Sequence, residues 1–277
     1  MQYSVLITGC SSGIGLEAAK MLQQRGFLVV ASCRRLEDVE VLKAAGIQHV
    51  VQLDLADSVS IERGLQETLS ITGGNLYALF NNGAYGQPGA VEDLSVEVLR
   101  AQFNINFFGT HELTCKVLKC MLAQGYGRIV NNSSVLGLVA LPFRGAYNSS
   151  KFALEGLTDT LRLELADTPI HVSLIEPGPI ESHFRANALT ALKDNIDIAQ
   201  SRHQQGYEEA IKRLAKEGPT SSQTLPSSAV VKKLIHALES QRPKPRYYVT
   251  TPTYIAGFLK RILPTRLLDW VVSKQSN

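Results

Sequence analysis

The chain has 277 residues, 44% of them hydrophobic and 19% charged, with a formal net charge of +3. That length and apolar content fit one large α/β domain, and so modest a charge gives no basis for a nucleic-acid partner. With no apolar run of eighteen residues and no charged-then-apolar leader, the expectation is a cytoplasmic protein.

In chain order, strands are predicted near Val5–Thr8, Leu28–Ser32, Val50–Leu53, Ala78–Asn81, Arg128–Asn131, His171–Ile175 and Arg246–Val249. Helical patterns begin between them near Gly13, Asp38, Ser58, Val96, Tyr147 and Ser228, and a long one from about Leu99 to Gln124 carries Asn106 and Gly109. Strict alternation of strand and helix implies a doubly wound parallel sheet of about seven strands with helices on both faces, in a single domain over 1–277. The atypical connection is 183–222, polar and ending G-P-T-S-S-Q, which is expected to be a substrate-binding lid loop with one short amphipathic helix from His203. Cys10, Cys33, Cys115 and Cys120 show no C-x-x-C spacing and no adjacent histidine cluster, so neither a zinc site nor a disulfide framework is expected. None of the six histidines reads as catalytic.

Two motifs carry chemistry. The first strand runs into T-G-C-S-S-G-I-G at Thr8, with a helical pattern directly after it. Strand, Gly-rich turn and helix is the context of a dinucleotide site: Gly9 permits the tight turn, Gly13 lets backbone approach a pyrophosphate, and Gly15 lets the helix lie close to the sheet. The second motif is Y-N-S-S-K, with Ser134 thirteen residues upstream of Tyr147. A spacing of four places Tyr147 and Lys151 on one helix face, a turn apart. A phenol has a reference pKa of about 10, and a fixed cation beside it favours the phenolate and pulls that value toward the working pH.

Together with L-D-L at Leu53, N-N-G-A at Asn81, N-F-F-G at Asn106, I-V-N-N-S-S-V-L-G at Ile129 and E-P-G-P-I at Glu176, these motifs resemble the short-chain dehydrogenase/reductase family, in the family's own order. The resemblance covers about Tyr3 to Phe184. The run L-P-F-R-G-A-Y-N-S-S-K-F-A-L-E-G-L is similar to the branch of 17β-hydroxysteroid and retinol dehydrogenases and their bacterial NADPH-dependent aldehyde reductases.

The resemblance implies a Rossmann fold and a site in which Ser134 polarises the substrate carbonyl, Tyr147 gives and takes the proton, and Lys151 holds the nicotinamide ribose. Asn106 would keep a water in line with Lys151. It also implies cofactor contacts from Gly9, Ser11, Ser12, Gly13, Ile14, Gly15, Asp54, Leu55, Asn82, Gly83, Ala84, Tyr147, Lys151, Pro177, Gly178, Ile180 and Ser182. Asp54 has the alternative of capping the turn that follows it. Cofactor choice follows from the end of the second strand, A-S-C-R-R, where Cys33 stands in place of an acid and Arg34 and Arg35 follow. A guanidinium suits a 2′-phosphate, so NADP(H) is expected. One departure is N-N-G-A in place of the family's N-N-A-G, which moves the glycine by one position.

The C-terminal part differs from the rest. From Lys232 onward there are nine basic residues and two acidic ones, around a broken apolar stretch at about 252–277. Covering the substrate pocket, forming a subunit contact and lying weakly on the inner face of a membrane are all open to it. Leu136, Leu141, Phe143 and Phe184 are expected near the pocket, with no Arg or Lys placed to grip an anionic substrate. The function expected is NADP(H)-dependent interconversion of a lipophilic aldehyde or ketone with its alcohol. The alternatives are a steroid or retinol dehydrogenase working oxidatively, or a nucleotide-sensing module without catalysis. Relatives pair through the helices carrying Asn106 and Tyr147, so a homodimer or homotetramer is expected.

Overall fold

In the computed structural model, which describes residues 2–216, 218 and 222–274, the strands β1 (Ser4–Ile7), β2 (Leu28–Cys33), β3 (His49–Gln52), β4 (Ala78–Asn81), β5 (Gly127–Asn132), β6 (Ile170–Glu176) and β7 (Arg246–Tyr248) form one sheet. Its order is β3-β2-β1-β4-β5-β6-β7 and every pairing is parallel. Each predicted strand is present, β4 with the predicted bounds and the others displaced by one residue at one or both ends.

The central strands are rich in apolar residues because both faces of the sheet are covered. Side chains alternate across a strand, so Val5 and Ile7 of β1 join one core while Leu6 joins another. The first core contains Ala18, Ala19 and Leu22 of α1 (Gly13–Gln24) and Val230, Val231 and Leu234 of the later helix Ser227–Glu239. The second takes Ile61 and Leu65 from the helix Ser58–Thr72 and Leu113, Val117 and Met121 from the helix Thr110–Gln124. In chain order the described helices are α1, α2 (Leu36–Ala44), α3 (Ser58–Thr72), α4 (Val96–Phe103), α5 (Thr110–Gln124), α6 (Gly145–Glu164), α7 (Phe184–Asn195), α8 (Gln204–Ala215), α9 (Ser227–Glu239), α10 (Thr251–Ile262) and α11 (Thr265–Lys274).

Two segments differ from expectation. The helix predicted over Leu99 to Gln124 is interrupted by a π-helical segment at Asn104–Gly109, which places Asn106 on an irregular turn. Gly109 closes this segment hard against the loop after β3: a Cβ there would lie 1.8 Å from the Leu55 carbonyl oxygen. The 183–222 connection contains two helices, α7 and α8, instead of one. Ala188, Leu192, Tyr207 and Leu214 give it a small core of its own with Ala90 and Ile196. Residues 217 and 219–221 of that connection, and 275–277 of the C-terminal extension, lie outside the described residues.

A buried ionic cluster ties α6, β6 and β7 together. Arg246 donates to Glu176 at 2.8 Å, to Asp159 at 2.5 Å and to Glu155. Glu176 is 0% exposed and Glu155 is buried. Burial, reinforced by the neighbouring Glu155 carboxylate, pushes the Glu176 carboxyl up to about 8, against the opposing pull of Arg246. A carboxyl whose pKa is higher folded than unfolded binds its proton more tightly in the native state. Stability therefore falls as pH rises from the ordinary glutamate range, about 4.3, toward 8, and levels off beyond. Each unit of such a difference is about 1.4 kcal/mol. Glu176→Gln, neutral at every pH, is expected to flatten this decline, seen as a smaller loss of Tm between pH 6 and pH 8.5. The gain over wild type at the alkaline end should be at least roughly 2–4 °C for a chain of this size. Identical pH dependence of Tm in the two proteins would show that Glu176 carries no such proton.

Candidate active site

Strand order reverses beside β1, since β2 and β3 lie on one side and β4 to β7 on the other. The crevice at such a reversal is where open α/β sheets bind ligands. Here the exits of β1 and β4 meet at van der Waals limits: a Cβ on Gly9, whose φ is +70°, would lie 2.7 Å from the Gly83 Cα. A Cβ on Gly15 would lie 2.2 Å from the Gly9 carbonyl oxygen, so α1 packs directly beneath the turn. Ser12 is the N-cap of α1, and its side chain makes no capping hydrogen bond. The amides of the first turn and the Ser12 hydroxyl are thus left for an anion at the positive end of the helix.

Thr8 and Asn82 hold the turn to β4. The Thr8 hydroxyl accepts from the amides of Asn82 at 3.0 Å and Gly83 at 2.8 Å. The Asn82 side-chain amide donates to the carbonyls of Thr8 at 2.9 Å and Gly9 at 3.1 Å, and its oxygen accepts from Asn132 at 3.0 Å. The Asn82 side chain is therefore tied to the scaffold, while Asn82 and Gly83 both stand on the cavity wall. The displaced glycine also has a packing reason: a Cβ on Gly83 would lie 3.0 Å from Leu55 and 3.2 Å from the Thr8 hydroxyl. Ala84, next in the chain, lines the cavity.

At the end of β2 the two arginines differ. Arg35 is spent on Asp38, through Nε at 3.1 Å and Nη2 at 2.8 Å. Arg34 is exposed and pairs with no carboxylate among the described residues. Cys33 is buried, and burial pushes its thiol up to about 11. Asp54 caps the turn after β3, its Oδ1 accepting from Ala56 at 2.9 Å. Gly15, Arg34, Arg35, Asp54 and Leu55 stand outside the cavity wall, whereas Gly9, Ser11, Ser12, Gly13, Ile14, Pro177, Gly178, Ile180 and Ser182 are on it.

Ser134, Tyr147 and Lys151 converge on the floor of the same cavity. Tyr147 sits in the first turn of α6 and Lys151 one turn on, with Nζ 5.6 Å from the Tyr147 ring centre. Lys151 is buried and donates to the Asn132 carbonyl at 2.7 Å. Burial holds the ammonium down at about 8. Burial also pushes the Tyr147 phenol up to about 12, against the opposing pull of Ser134. This reverses the direction expected from the Tyr/Lys spacing, because loss of water outweighs a partly desolvated cation that spends its hydrogen bond on the Asn132 carbonyl. At neutral pH Tyr147 is a phenol and a proton donor.

Asn106 reaches this site indirectly. Its amide donates to the Tyr85 carbonyl at 2.9 Å and to Ser150 Oγ at 3.3 Å, and its oxygen accepts from the Tyr85 amide at 3.1 Å. Ser150 in turn donates to the Tyr147 carbonyl at 2.8 Å. The side chain thus braces α6 and the segment after β4, and its polar atoms are occupied. Asn132, whose carbonyl takes the Lys151 ammonium, stands in the I-V-N-N-S-S run, but no spacing rule marks a backbone carbonyl as a ligand.

The cavity measures about 810 Å³. Leu136, Leu141 and Phe184 line it as expected. Phe184 stands edge-on to Tyr147, ring centres 5.3 Å apart, over Gly86, which has no side chain to obstruct it. Phe143 is not on the wall: it packs behind it against Tyr207 and His203 of the 183–222 connection, with a φ of 59°. The C-terminal helices complete the wall with Ile255 and Leu259 of α10 and Leu268 and Val271 of α11. Arg144, Arg185 and Arg213 also line it, while no Asp or Glu among the described residues does, so cations stand where no Arg or Lys was expected to face an anionic substrate.

The family model for short chain dehydrogenases matches residues 3–193. The chain belongs to that family. It is 44% identical over 272 residues to an uncharacterized oxidoreductase, YbbO, of Escherichia coli strain K12, covering 98% of this chain and 94% of the relative. It is 30% identical to an NADPH-dependent 3-dehydrocapnine reductase of Ornithobacterium rhinotracheale, covering 99% and 97%. Over 195 residues it is 39% identical to human retinol dehydrogenase 8, covering 67% and 61%, in keeping with the branch resemblance. Among solved structures, a family member from Burkholderia phymatum in complex with NAD superposes with a TM-score of 0.78 at 25% identity, covering 98% and 95%. The protein is thus an oxidoreductase of the short-chain dehydrogenase family, acting on CH–OH and carbonyl groups with NAD(P). The Gly9–Gly13 cradle and the uncapped amides of α1 suit the cofactor's diphosphate. Among the described residues no helix is long and apolar enough to cross a membrane.

Proposed function

We propose that the protein reduces lipophilic aldehydes or ketones to alcohols with NADPH, using Tyr147 as the proton donor. The observation that carries the reading is the Tyr147 phenol beside Ser134 on the floor of a large cavity walled by Leu136, Leu141, Phe184 and the apolar residues of α10 and α11. When bound, the nicotinamide supplies a hydride. The Ser134 hydroxyl donates a hydrogen bond to the substrate carbonyl oxygen, and the Tyr147 hydroxyl delivers the proton that balances the incoming charge. Lys151, fixed by the Asn132 carbonyl, holds a cation beside the tyrosinate left behind and is placed to bind the nicotinamide ribose. Asn106 acts through Ser150 by keeping this turn of α6 in place.

NADP(H) is favoured over NAD(H) by the unpaired Arg34 and by the absence of an acid at Cys33. Gly9, Ser11, Ser12, Gly13, Ile14, Ala84, Pro177, Gly178, Ile180 and Ser182 contact the cofactor in this reading. Cytoplasmic placement and a homodimer or homotetramer through α5 and α6 belong to it too, the latter supported by the exposed Leu122 and Leu163. A weak contact of the C-terminal segment with a membrane surface is supported by the exposed Phe258 and Trp270 among basic residues.

Tyr147→Phe should leave the fold and NADPH binding intact and reduce kcat by at least about a hundredfold, measured by NADPH absorbance; near wild-type turnover would remove Tyr147 from the role. Arg34→Ala should raise the KM for NADPH with little change for NADH, and equal effects on both would sink the 2′-phosphate reading. Each buried methylene contributes about 0.8 kcal/mol at most, so kcat/KM should climb along an aldehyde series from short to medium chain. A flat or falling series would refute the apolar wall.

A further inference from the structure

The cationic residues on the wall are not a scatter. Arg185 opens α7 beside Phe184, and its guanidinium donates to the Lys216 carbonyl at 2.9 Å and to the Gly218 carbonyl. That brings it to the C-terminal end of α8, where Arg213 occupies the last turn. Glu209 lies one turn before Arg213, the spacing at which a helix surface normally forms an ion pair. No such pair forms: among the described residues Arg213 meets no carboxylate, and its side chain joins the cavity wall instead. The residue as a whole keeps exposed area, yet its guanidinium loses enough water to be held below its ordinary value, with no charged partner opposing the shift. A guanidinium that leaves Glu209 unpaired and joins a cavity with no acid among its described lining residues is a site for an anion.

We infer that this cavity takes amphiphilic carbonyl compounds, an apolar body ending in an acidic head group, and that Arg213 is the residue that selects the head group. The inference rests on the reductase reading and names its substrate class. α10 and α11 bring Ile255, Leu259, Leu268 and Val271 for the apolar body, while α8 brings the cation. Arg185, with donors already engaged by two carbonyls, fixes the end of α8 and adds positive charge nearby. The cofactor does not account for Arg213 in this reading, because the α1 amides are available to the diphosphate and Arg34 lies at the far end of the ribose site, beyond β2.

Two measurements test it, one of which needs no turnover. Binding of decanoate and of decanol to the NADPH-loaded protein is compared by calorimetry at low ionic strength. Decanoate should bind at least about tenfold more tightly, the advantage should shrink with added salt, and Arg213→Gln should remove it while leaving decanol binding unchanged. Arg213→Lys should restore part of it. In the second measurement, aldehydes ending in a carboxylate are compared with their methyl esters, with the acid favoured in kcat/KM by a similar factor in wild type only. Equal binding of decanoate and decanol to the wild type would overturn the inference, as would an Arg213→Gln effect that falls on the KM for NADPH instead. If decanoate is selected as described but no carbonyl compound is reduced, the anion site stands and the reductase reading fails. If neutral aldehydes are reduced and the acid gains no preference, the reductase reading stands and the anion site fails.

Discussion

The structure depends on a chain of hydrogen bonds centred on Asn82. Its amide grips the carbonyls of Thr8 and Gly9 at the nucleotide turn, and its oxygen receives the Asn132 side chain. The carbonyl of that same Asn132 receives the Lys151 ammonium. One asparagine pair at the exits of β4 and β5 thus fixes the distance between the Gly-rich turn and the helix that bears Tyr147. Hydride and proton transfer need such alignment, because reacting groups displaced by an ångström lose much of the benefit of being held together. Gly9 serves this bracing: it permits an approach of the β1 and β4 exits that a side chain there would block.

Burial sets the protonation states around this frame. The removal of water raises Tyr147 and lowers Lys151, so the protein itself holds a protonated acid next to an ammonium that loses its proton more readily than an exposed lysine. Four residues beyond Lys151, the carboxyl of Glu155 belongs to the Arg246 cluster, in which three carboxylates face one guanidinium. Burial raises Glu155 and Glu176, and the neighbouring carboxylates add to the shift. The cluster joins α6 to the strand that leads into Pro177 and Gly178, and so couples the two walls of the site.

Above the frame, the cavity is assembled from late parts of the chain. α7 and α8 form a satellite core over Ala90, and α10 and α11 close the remaining side. Phe143 ties this satellite to α6: it holds a left-handed backbone conformation, uncommon for a bulky residue, while its ring packs on Tyr207 and the Gly206 backbone leaves room for it. These elements give the site its apolar wall and its cations, and they stand apart from the sheet that anchors the chemistry.

How much was legible in the sequence follows from how local each signal is. Strand alternation, the Gly-rich turn and the four-residue step from Tyr147 to Lys151 are properties of neighbours in the chain, and they determined the sheet, the tight turn into α1 and the shared helix face of Tyr147 and Lys151. Three matters were decided only by tertiary contact. The direction of the Tyr147 shift depends on how much water the assembled cavity removes, which spacing cannot report. The π turn at Asn106 and the use of Asn82 as a brace arise where segments distant in sequence press together, as Gly109 does on Leu55. Arg213 reads as one more solvated charge on an amphipathic helix, with Glu209 in place to pair with it. Its turn toward the cavity became visible only when α8 was packed, because which face of a helix meets the rest of the protein is settled by the surfaces it must bury.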